Sequence, residues 1–307
     1  MRYISITSIL TPHALLFSLT IEAILTITLK TNHACSHPFP PRIVSPKKTN
    51  LDWFLYRRSL FNYNDIGTSP KGASAMIKAV FFDLYHTLVT YDPPQEELEA
   101  GALKELGVDV QPAALRSPII VADEFIYNEI ARRPLSHRSQ EEKLALYMQH
   151  QEMILREAAV PYDTRLVMGL LGKMQQAQMK LVLFDDVAPA LTELKKRGLI
   201  LGLISNLEQD ANETLNRLGL HLWLEIVVTS KDAGVNKPQP EIFLEAINRA
   251  GVQPAEALYI GDQYQVDILG ANGAGMKGIL LDRNDHYQRI KDSPRIQYLT
   301  EISGLLQ

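Results

Sequence analysis

The segment MIKAVFFDLYHTL at residues 76–88 decides the fold of this 307-residue chain. Its apolar run at 77–82 predicts a buried parallel strand, because strands covered on both faces of a sheet are apolar throughout. An aspartate, Asp83, stands at the end of that run. Open α/β sheets bind ligands at the carboxyl ends of their strands. We therefore expect Asp83 to lie in a functional site.

Three further segments have the same character and follow in order along the chain. They are LISN at 203–206, NKP at 236–238 and IGDQYQVD at 260–267. Each follows an apolar run or lies just after one, so each is expected at the edge of the sheet that holds Asp83. Together the four segments offer a carboxylate nucleophile, a hydroxyl, an ammonium group and an acidic pair. This set suits attack on an electrophile that carries an anionic group.

The order and residue types of these four segments resemble the haloacid dehalogenase (HAD) superfamily of aspartate-nucleophile hydrolases. The resemblance extends from about Met76 to the C-terminus. It implies an α/β fold, in which a Rossmann-like, doubly wound parallel sheet carries an inserted helical cap domain. In this superfamily, such a cap closes over the active site and selects the substrate.

The patterns along the chain predict a core formed by residues 76–92 and 182–307, with a helical cap at 93–181. The segment 84–91 is expected to be a turn. Within the cap, helical periodicity covers 96–106, 113–131, 139–159 and 164–178. From residue 186 helices alternate with strands, which indicates a parallel sheet. The predicted helices are 187–197, 208–218, 240–250 and 265–274, and the predicted strands are 199–204, 225–228, 258–260 and 278–281.

Residues 1–75 differ from the rest of the chain. They carry eight Lys/Arg and three Asp/Glu, a net charge of +5, whereas residues 76–307 carry a net charge of −9. One interpretation is that Met76 is the true start and that 1–75 is a mispredicted extension. The alternative is a membrane anchor, because residues 4–29 are long and apolar enough to span a bilayer. The basic residues that follow would then favour a cytoplasmic catalytic domain.

The resemblance also implies roles for individual residues. Asp83 would be the nucleophile, and Lys237 would neutralise both Asp83 and the bound anion. Thr87, Ser205 and Asn206 would contact the substrate. Magnesium would bind Asp83, the backbone carbonyl of Tyr85 and Asp262, with Asp267 orienting Lys237 or metal-bound water from a second layer. Hard carboxylate oxygens are the ligands that this ion prefers.

Tyr85 leaves the reaction type open. Most phosphatases of the superfamily have an aspartate here, which protonates the leaving oxygen. A phenol with its usual pKa near 10 is a poor base at neutral pH. Tyrosine at this place resembles the 2-haloacid dehalogenases, whose halide leaves without a proton and which work without metal. A halide-binding site would need a cation from the cap, for which Arg116, Arg132 and Arg133 are candidates.

The leading hypothesis is a magnesium-dependent phosphatase that acts on a small phosphorylated metabolite. The alternatives are a metal-independent 2-haloacid dehalogenase and a non-catalytic binding protein with the same fold. His86 could supply another acid or base, but we expect it to be a bulky flap residue.

Composition restricts the partners and the compartment. The net negative charge of residues 76–307 argues against general nucleic-acid binding, which depends on basic patches. Cys35 is the only cysteine, so a reducing, cytoplasmic compartment is the simple interpretation. We expect a small anionic substrate, and membrane attachment only if residues 1–30 are translated and inserted. The sequence does not indicate an oligomeric state.

Overall fold

The computed structural model describes residues 76–208 and 210–306 of the chain. The predictions made for residues 1–75, an extension or a membrane anchor, lie outside the described residues. Within the described part, no helix combines the length and the apolar character that crossing a membrane requires.

The described residues form a six-stranded parallel sheet and a separate two-stranded antiparallel sheet. The strands are β1 (Ala79–Phe82), β2 (Val89–Asp92), β3 (Lys180–Leu183), β4 (Ile200–Ser205), β5 (Ile226–Thr229), β6 (Ala257–Gly261), β7 (Lys277–Leu281) and β8 (Arg295–Ile296). The order in the large sheet is β5-β4-β1-β6-β7-β8. β1 therefore pairs with β4 on one side and β6 on the other. Because these strands are parallel, the residues that follow them meet at one edge.

Nine α-helices lie within the described residues. They are α1 (Gln95–Glu105), α2 (Pro112–Arg132), α3 (Gln140–Glu157), α4 (Thr164–Gln176), α5 (Val187–Lys196), α6 (Asn212–Arg217), α7 (Ser230–Ala233), α8 (Pro240–Ala250) and α9 (Leu269–Gly273). Gly198 and Gly251 follow α5 and α8 with φ of 77° and 65°. Glycine reaches this left-handed conformation without steric cost, so it ends the helices there.

Apolar clusters cover both faces of the large sheet. Val80 and Phe82 of β1 pack in the same cluster as Leu191 of α5. Ala79 and Phe81, which point to the opposite face, pack with Phe243 of α8. Both faces of the central strand are thus buried beneath helices. This arrangement confirms the predicted Rossmann-like, doubly wound α/β core.

Helices α1 to α4 lie between β2 and β3 in the chain, and they enclose a separate apolar cluster. Leu103, Leu115, Tyr147 and Leu170 are fully buried there. Ser139 starts α3 with a capping box, in which its hydroxyl accepts a hydrogen bond from the Glu142 amide. The helices expected in the cap are therefore present, and the exact domain boundaries at 92/93 and 181/182 stay a prediction.

Some local predictions were wrong. The predicted turn at 84–91 contains most of β2, and its partner strand β3 was not predicted. Each strand has only four residues, which is too few for a clear alternation of apolar and polar side chains. The two-residue strand β8 was also missed. The helix predicted at 208–218 is shortened to α6, and that predicted at 265–274 begins as a π-helical turn, Tyr264–Ile268, before α9. Such π-helical turns are frequent at functional sites.

Candidate active site

Asp83 lies at the centre of the large sheet's carboxyl edge. Its backbone amide donates to the carbonyl of Ile260 at 2.9 Å, which continues the pairing of β1 with β6 one residue beyond the strand. The Asp83 side chain is buried, with the residue 7% exposed. A carboxylate in such a place requires partners, because burying an unpaired charge is costly.

Lys237 supplies the main partner. Its ammonium group donates to Asp83 Oδ1 at 2.5 Å, to Asp267 Oδ1 at 2.7 Å and to the Tyr259 hydroxyl at 2.9 Å. Burial by itself lowers the pKa of Lys237, but the charges and hydrogen bonds of Asp267 and Asp83 outweigh it and raise the pKa above the usual value. The three donor positions of the ammonium are occupied, so Lys237 is a fixed positive charge beside Asp83.

Two features position Lys237. The Asn206 side chain accepts from the Lys237 amide at 2.6 Å and donates to the Lys237 carbonyl at 3.1 Å. Asp267 reaches the ammonium because residue 261 is glycine: a Cβ there would overlap the Asp267 carboxylate. The second oxygen of Asp267 accepts from the Gln263 amide at 3.0 Å. Both oxygens of Asp267 are thus engaged, which favours the predicted second-layer role over direct metal ligation.

The carboxylate oxygens of Asp83, Asp262 and Asp267 lie within 4.8 Å of one another. Burial raises the pKa of Asp83 to about 6, although Lys237 opposes the shift. Burial, and then the Asp267 and Asp83 charges, raise the pKa of Asp262 well above its usual range. Three carboxylates and one ammonium leave an excess of two negative charges when all are ionised. That excess, carried by hard oxygens, suits a divalent metal ion.

Tyr85 and Ser205 lie beside Asp83. Both line a cavity of about 40 Å³ together with Asp83, Asn206 and Lys237. The Tyr85 ring is stacked on that of Tyr91, with centroids 6.4 Å apart. Burial, followed by the nearby Tyr91 and Asp83, raises the pKa of Tyr85 well above 10. Its phenol is therefore protonated at neutral pH and is not a base.

Thr87 contacts Asp262 rather than Asp83. Its side chain is fully buried, and its hydroxyl donates to Asp262 Oδ1 at 3.4 Å rather than to Asp83. Its carbonyl accepts from Arg283 at 2.9 Å. The structure therefore places Thr87 behind Asp262, and its predicted contact with substrate stays a prediction.

His86 lies in the turn that follows Asp83. Its φ is +57°, a left-handed conformation that is uncommon outside glycine. Its ring meets Tyr91 edge-on, and its Nε2 lies 3.9 Å from Asp123 Oδ2 of the cap. Burial lowers the pKa of His86, although Asp123 opposes the shift. His86 therefore contacts the cap, and its expected role as a flap residue stays a prediction.

The cap completes the site through one face of α2. Tyr127 and Ile130 of α2 line the small cavity that contains Asp83. The Ile130 carbonyl accepts from Asn236 of the core at 3.3 Å, and Glu124 accepts a short hydrogen bond from the Tyr287 hydroxyl. The cap helix α2 therefore lies directly over Asp83.

Sequence reasoning missed Tyr259, Tyr127 and Gln263 as site residues. Tyr259 is fully buried and contacts both Lys237 and Asp267. Within β6, however, it is one apolar residue among several, so no local signal separates it from the core. Tyr127 and Gln263 both line the small cavity. Tyr127 lies on a helix whose contact face cannot be assigned from periodicity alone.

Known proteins resemble this chain over most of the described region. Residues 77–275 match the family model of haloacid dehalogenase-like hydrolases. A glyceraldehyde 3-phosphate phosphatase from Methanopyrus kandleri is 32% identical over 216 residues, which cover 69% of this chain and 86% of that protein. Another from Methanothermobacter thermautotrophicus is 32% identical over 240 residues, which cover 75% and 98%.

Solved structures show the same fold. An L-2-haloacid dehalogenase is 19% identical with a TM-score of 0.52, and the match covers 76% of this chain and all (100%) of that one. The HAD hydrolase YfnB from Bacillus subtilis is 17% identical with a TM-score of 0.50, and the match covers 75% and 99%. Together with the match over residues 77–275 and the geometry around Asp83, these findings lead to one conclusion: the chain belongs to the haloacid dehalogenase-like hydrolase family.

Proposed function

We propose that this hydrolase is a magnesium-dependent phosphatase that cleaves the monoester of a small phosphorylated metabolite. The observation that carries the proposal is the placement of Lys237, which bonds to Asp83 at 2.5 Å inside a group of three carboxylates. An ammonium beside the nucleophile supplies positive charge that attracts an anionic group to the site. Two relatives that are 32% identical are named as phosphatases of glyceraldehyde 3-phosphate, a small phosphate ester.

Asp83 performs the central step. An oxygen of its carboxylate attacks phosphorus, the bond from phosphorus to the leaving oxygen breaks, and an aspartyl phosphate forms. Lys237 holds the attacking carboxylate in place and offsets the negative charge that collects there. Water then attacks phosphorus, which releases inorganic phosphate and regenerates the Asp83 carboxylate. Asp83, Asp262 and the Tyr85 carbonyl would hold the magnesium ion, which when bound supplies positive charge to the phosphoryl oxygens.

Proton transfer is the step for which this chain departs from most phosphatases of the family. The leaving oxygen needs a proton, and the protonated phenol of Tyr85 is a weak acid because burial raises its pKa well above 10. Turnover of alkyl phosphates should therefore be slow relative to that of aryl phosphates, whose leaving groups need no proton.

Tyr85 also favours a second candidate, 2-haloacid dehalogenation. The cap arginines that were proposed to bind the halide give dehalogenation little support. Arg132 and Arg133 pair with Glu129 and Glu142 at 2.7 and 2.6 Å, and neither lines a cavity described here. Arg116 pairs with Glu96 at 2.8 Å.

A substrate panel tests the two candidates. Phosphate monoesters and 2-haloacids are assayed with and without magnesium, with the Asp83→Asn variant as control. We expect phosphate release that requires both magnesium and Asp83. Halide release that is independent of magnesium, without phosphate release, would favour dehalogenation.

A further inference from the structure

Arg283 lies at the carboxyl edge of the large sheet, just after β7 ends at Leu281. β7 pairs with β6, and Asp262 directly follows β6, so Arg283 and Asp262 come after neighbouring strands of that edge. Both residues line a cavity of about 450 Å³ between the core and the cap. Arg283 is therefore near the proposed metal site without belonging to its group of carboxylates.

The Arg283 guanidinium joins the chain just before β2 to the chain just after β3. It donates to both oxygens of Asp186, from Nη1 at 2.9 Å and from Nη2 at 3.0 Å. Nη2 also donates to the Thr87 carbonyl at 2.9 Å. The guanidinium carbon lies 3.8 Å from the centre of the Phe184 ring. A bidentate pair of this kind, with an aromatic ring against the guanidinium, holds it in one orientation.

The ion pair of Arg283 and Asp186 is itself anchored. The Arg283 side chain is 13% exposed. Asp186 accepts a further hydrogen bond from the Leu299 amide at 2.7 Å. Because Asp186 matches the charge of Arg283, the guanidinium is better suited to holding a backbone group in place than to attracting an anionic substrate.

Thr87 connects Arg283 to Asp262. The Thr87 hydroxyl donates to Asp262 Oδ1 at 3.4 Å, which is near the upper limit for a hydrogen bond. A small shift of Thr87 would therefore break this contact. Since the Thr87 side chain is fully buried, its hydroxyl has no contact with solvent to replace it. The position of the Thr87 backbone, which Arg283 holds through the carbonyl, thus decides whether Asp262 keeps this donor.

We propose that Arg283 is a positioning residue for the metal site: it holds Thr87 in place, and Thr87 in turn orients the Asp262 carboxylate. The inference rests on the proposed function, in which Asp262 is a magnesium ligand. Groups that orient a metal ligand without touching the metal typically change metal affinity by roughly 10–100-fold when they are removed.

The sign of the effect separates positioning from simple electrostatics. A positive charge near the site repels a magnesium ion, so removing the charge of Arg283 would by itself strengthen magnesium binding. Leaving Asp186 without its partner would act in the same direction. Loss of positioning has the opposite effect, because Asp262 would no longer be oriented as a ligand. Weaker binding by an Arg283 variant therefore cannot result from the lost charge.

Titration of the full-length protein with magnesium chloride, followed by calorimetry, tests the proposal. Each variant is first shown by circular dichroism to be folded at the temperature used. Arg283→Met should weaken magnesium binding by about tenfold or more. Arg283→Lys keeps the charge but cannot hold Asp186 and Thr87 with one planar group, so it should also bind magnesium more weakly than wild type. If Arg283→Met does not fold, Arg283→Lys decides the question by the same criterion.

Arg249→Met is the matched control. Arg249 also bonds to a carboxylate and to a backbone carbonyl, those of Glu245 at 2.8 Å and Val227 at 2.9 Å. It does not line the cavity that contains Asp262. Arg249→Met should therefore bind magnesium as wild type does, and an equal loss in this variant would show that the effect is not specific to Arg283.

Substitutions of Thr87 locate the effect. Thr87→Val removes the hydroxyl and should weaken magnesium binding, whereas Thr87→Ser keeps the donor and should retain most of the affinity. The double variant Thr87→Val/Arg283→Met should bind no more weakly than the weaker single variant, because both changes remove the same chain of contacts. Fully additive losses would overturn the proposed route through Thr87.

Magnesium binding by the wild type separates this inference from the proposed function. If the wild type binds magnesium and Arg283→Met binds it equally well or more tightly, Arg283 does not position the site, while the proposed function stands. If the wild type binds no magnesium, the magnesium-dependent function fails, and the inference that rests on it fails as well.

Discussion

The Glu99→Gln substitution should make the protein more stable at alkaline pH. Glu99 of α1 is fully buried in the cap, and its Oε1 accepts from the Gln151 amide at 3.0 Å. Burial raises the pKa of Glu99 from 4.5 to about 7, although the Gln151 hydrogen bond and then His150 oppose the shift. The folded protein therefore holds a proton on Glu99 more tightly than the unfolded chain does.

The magnitude follows from this difference. One pKa unit corresponds to about 1.36 kcal/mol, so moving from 4.5 to about 7 is worth about 3 kcal/mol. Because the pKa is raised in the folded state, stability is retained below pH 4.5 and is lost as the pH rises towards about 7. Glutamine keeps the acceptor for Gln151 and never ionises, so the variant avoids this loss.

Urea unfolding from pH 4.5 to 8.5 measures the effect. The free energy of unfolding of Glu99→Gln minus that of wild type should be near zero at the acid end. It should rise to about 3 kcal/mol above pH 7. Glu97→Gln, an exposed change on the same helix, should stay within about 0.5 kcal/mol of wild type throughout. A difference that does not change with pH, or a variant less stable than wild type at pH 8, would refute the reasoning.

Three further substitutions probe the active site. Tyr85→Asp should raise kcat/KM for alkyl phosphates by ~100-fold or more, because it restores a carboxylic acid for the leaving oxygen; no gain in a folded variant would show that proton transfer is not limiting. Lys237→Met should lower the free energy of unfolding by about 3–5 kcal/mol and abolish turnover, because it leaves two buried carboxylates unpaired; wild-type stability in urea would contradict this. Asp262→Ala should weaken magnesium binding in calorimetry, and an unchanged affinity would exclude Asp262 as a ligand.

The sequence was sufficient to predict the parallel sheet of the core. Asp83, Ser205 and Asp262 each stand at or just beyond the end of a strand, so a parallel sheet brings them to one edge without further information. Their partner Lys237 is different: it follows no strand directly, and its direct contact with Asp83 was implied by the family resemblance rather than by the strand pattern. Its bond to Asp267 spans thirty positions of sequence, a distance over which periodicity carries no information.

The helices of the cap could be predicted from the sequence, but the residues that line the cavity beneath them could not. Gln95, Glu99 and Leu103 lie four residues apart on α1 and are all buried. Only the third looks like a core residue, since glutamine and glutamate are usually exposed. For the same reason, the sequence does not show that Asp123 and Glu124 of α2 line a cavity. Which polar residues of a helix face a cavity depends on how the helices pack together, and that is a tertiary property.

The most direct test of the account is to trap the intermediate on Asp83. The enzyme is mixed with p-nitrophenyl phosphate and magnesium, quenched in acid during turnover and digested, and the peptides are analysed by mass spectrometry. We expect a phosphate adduct on the peptide that contains Asp83, sensitive to hydroxylamine as an acyl phosphate should be, and absent from the Asp83→Asn variant. Undiminished turnover by Asp83→Asn, or an adduct on a different residue, would contradict the claim that Asp83 is the nucleophile of a phosphatase.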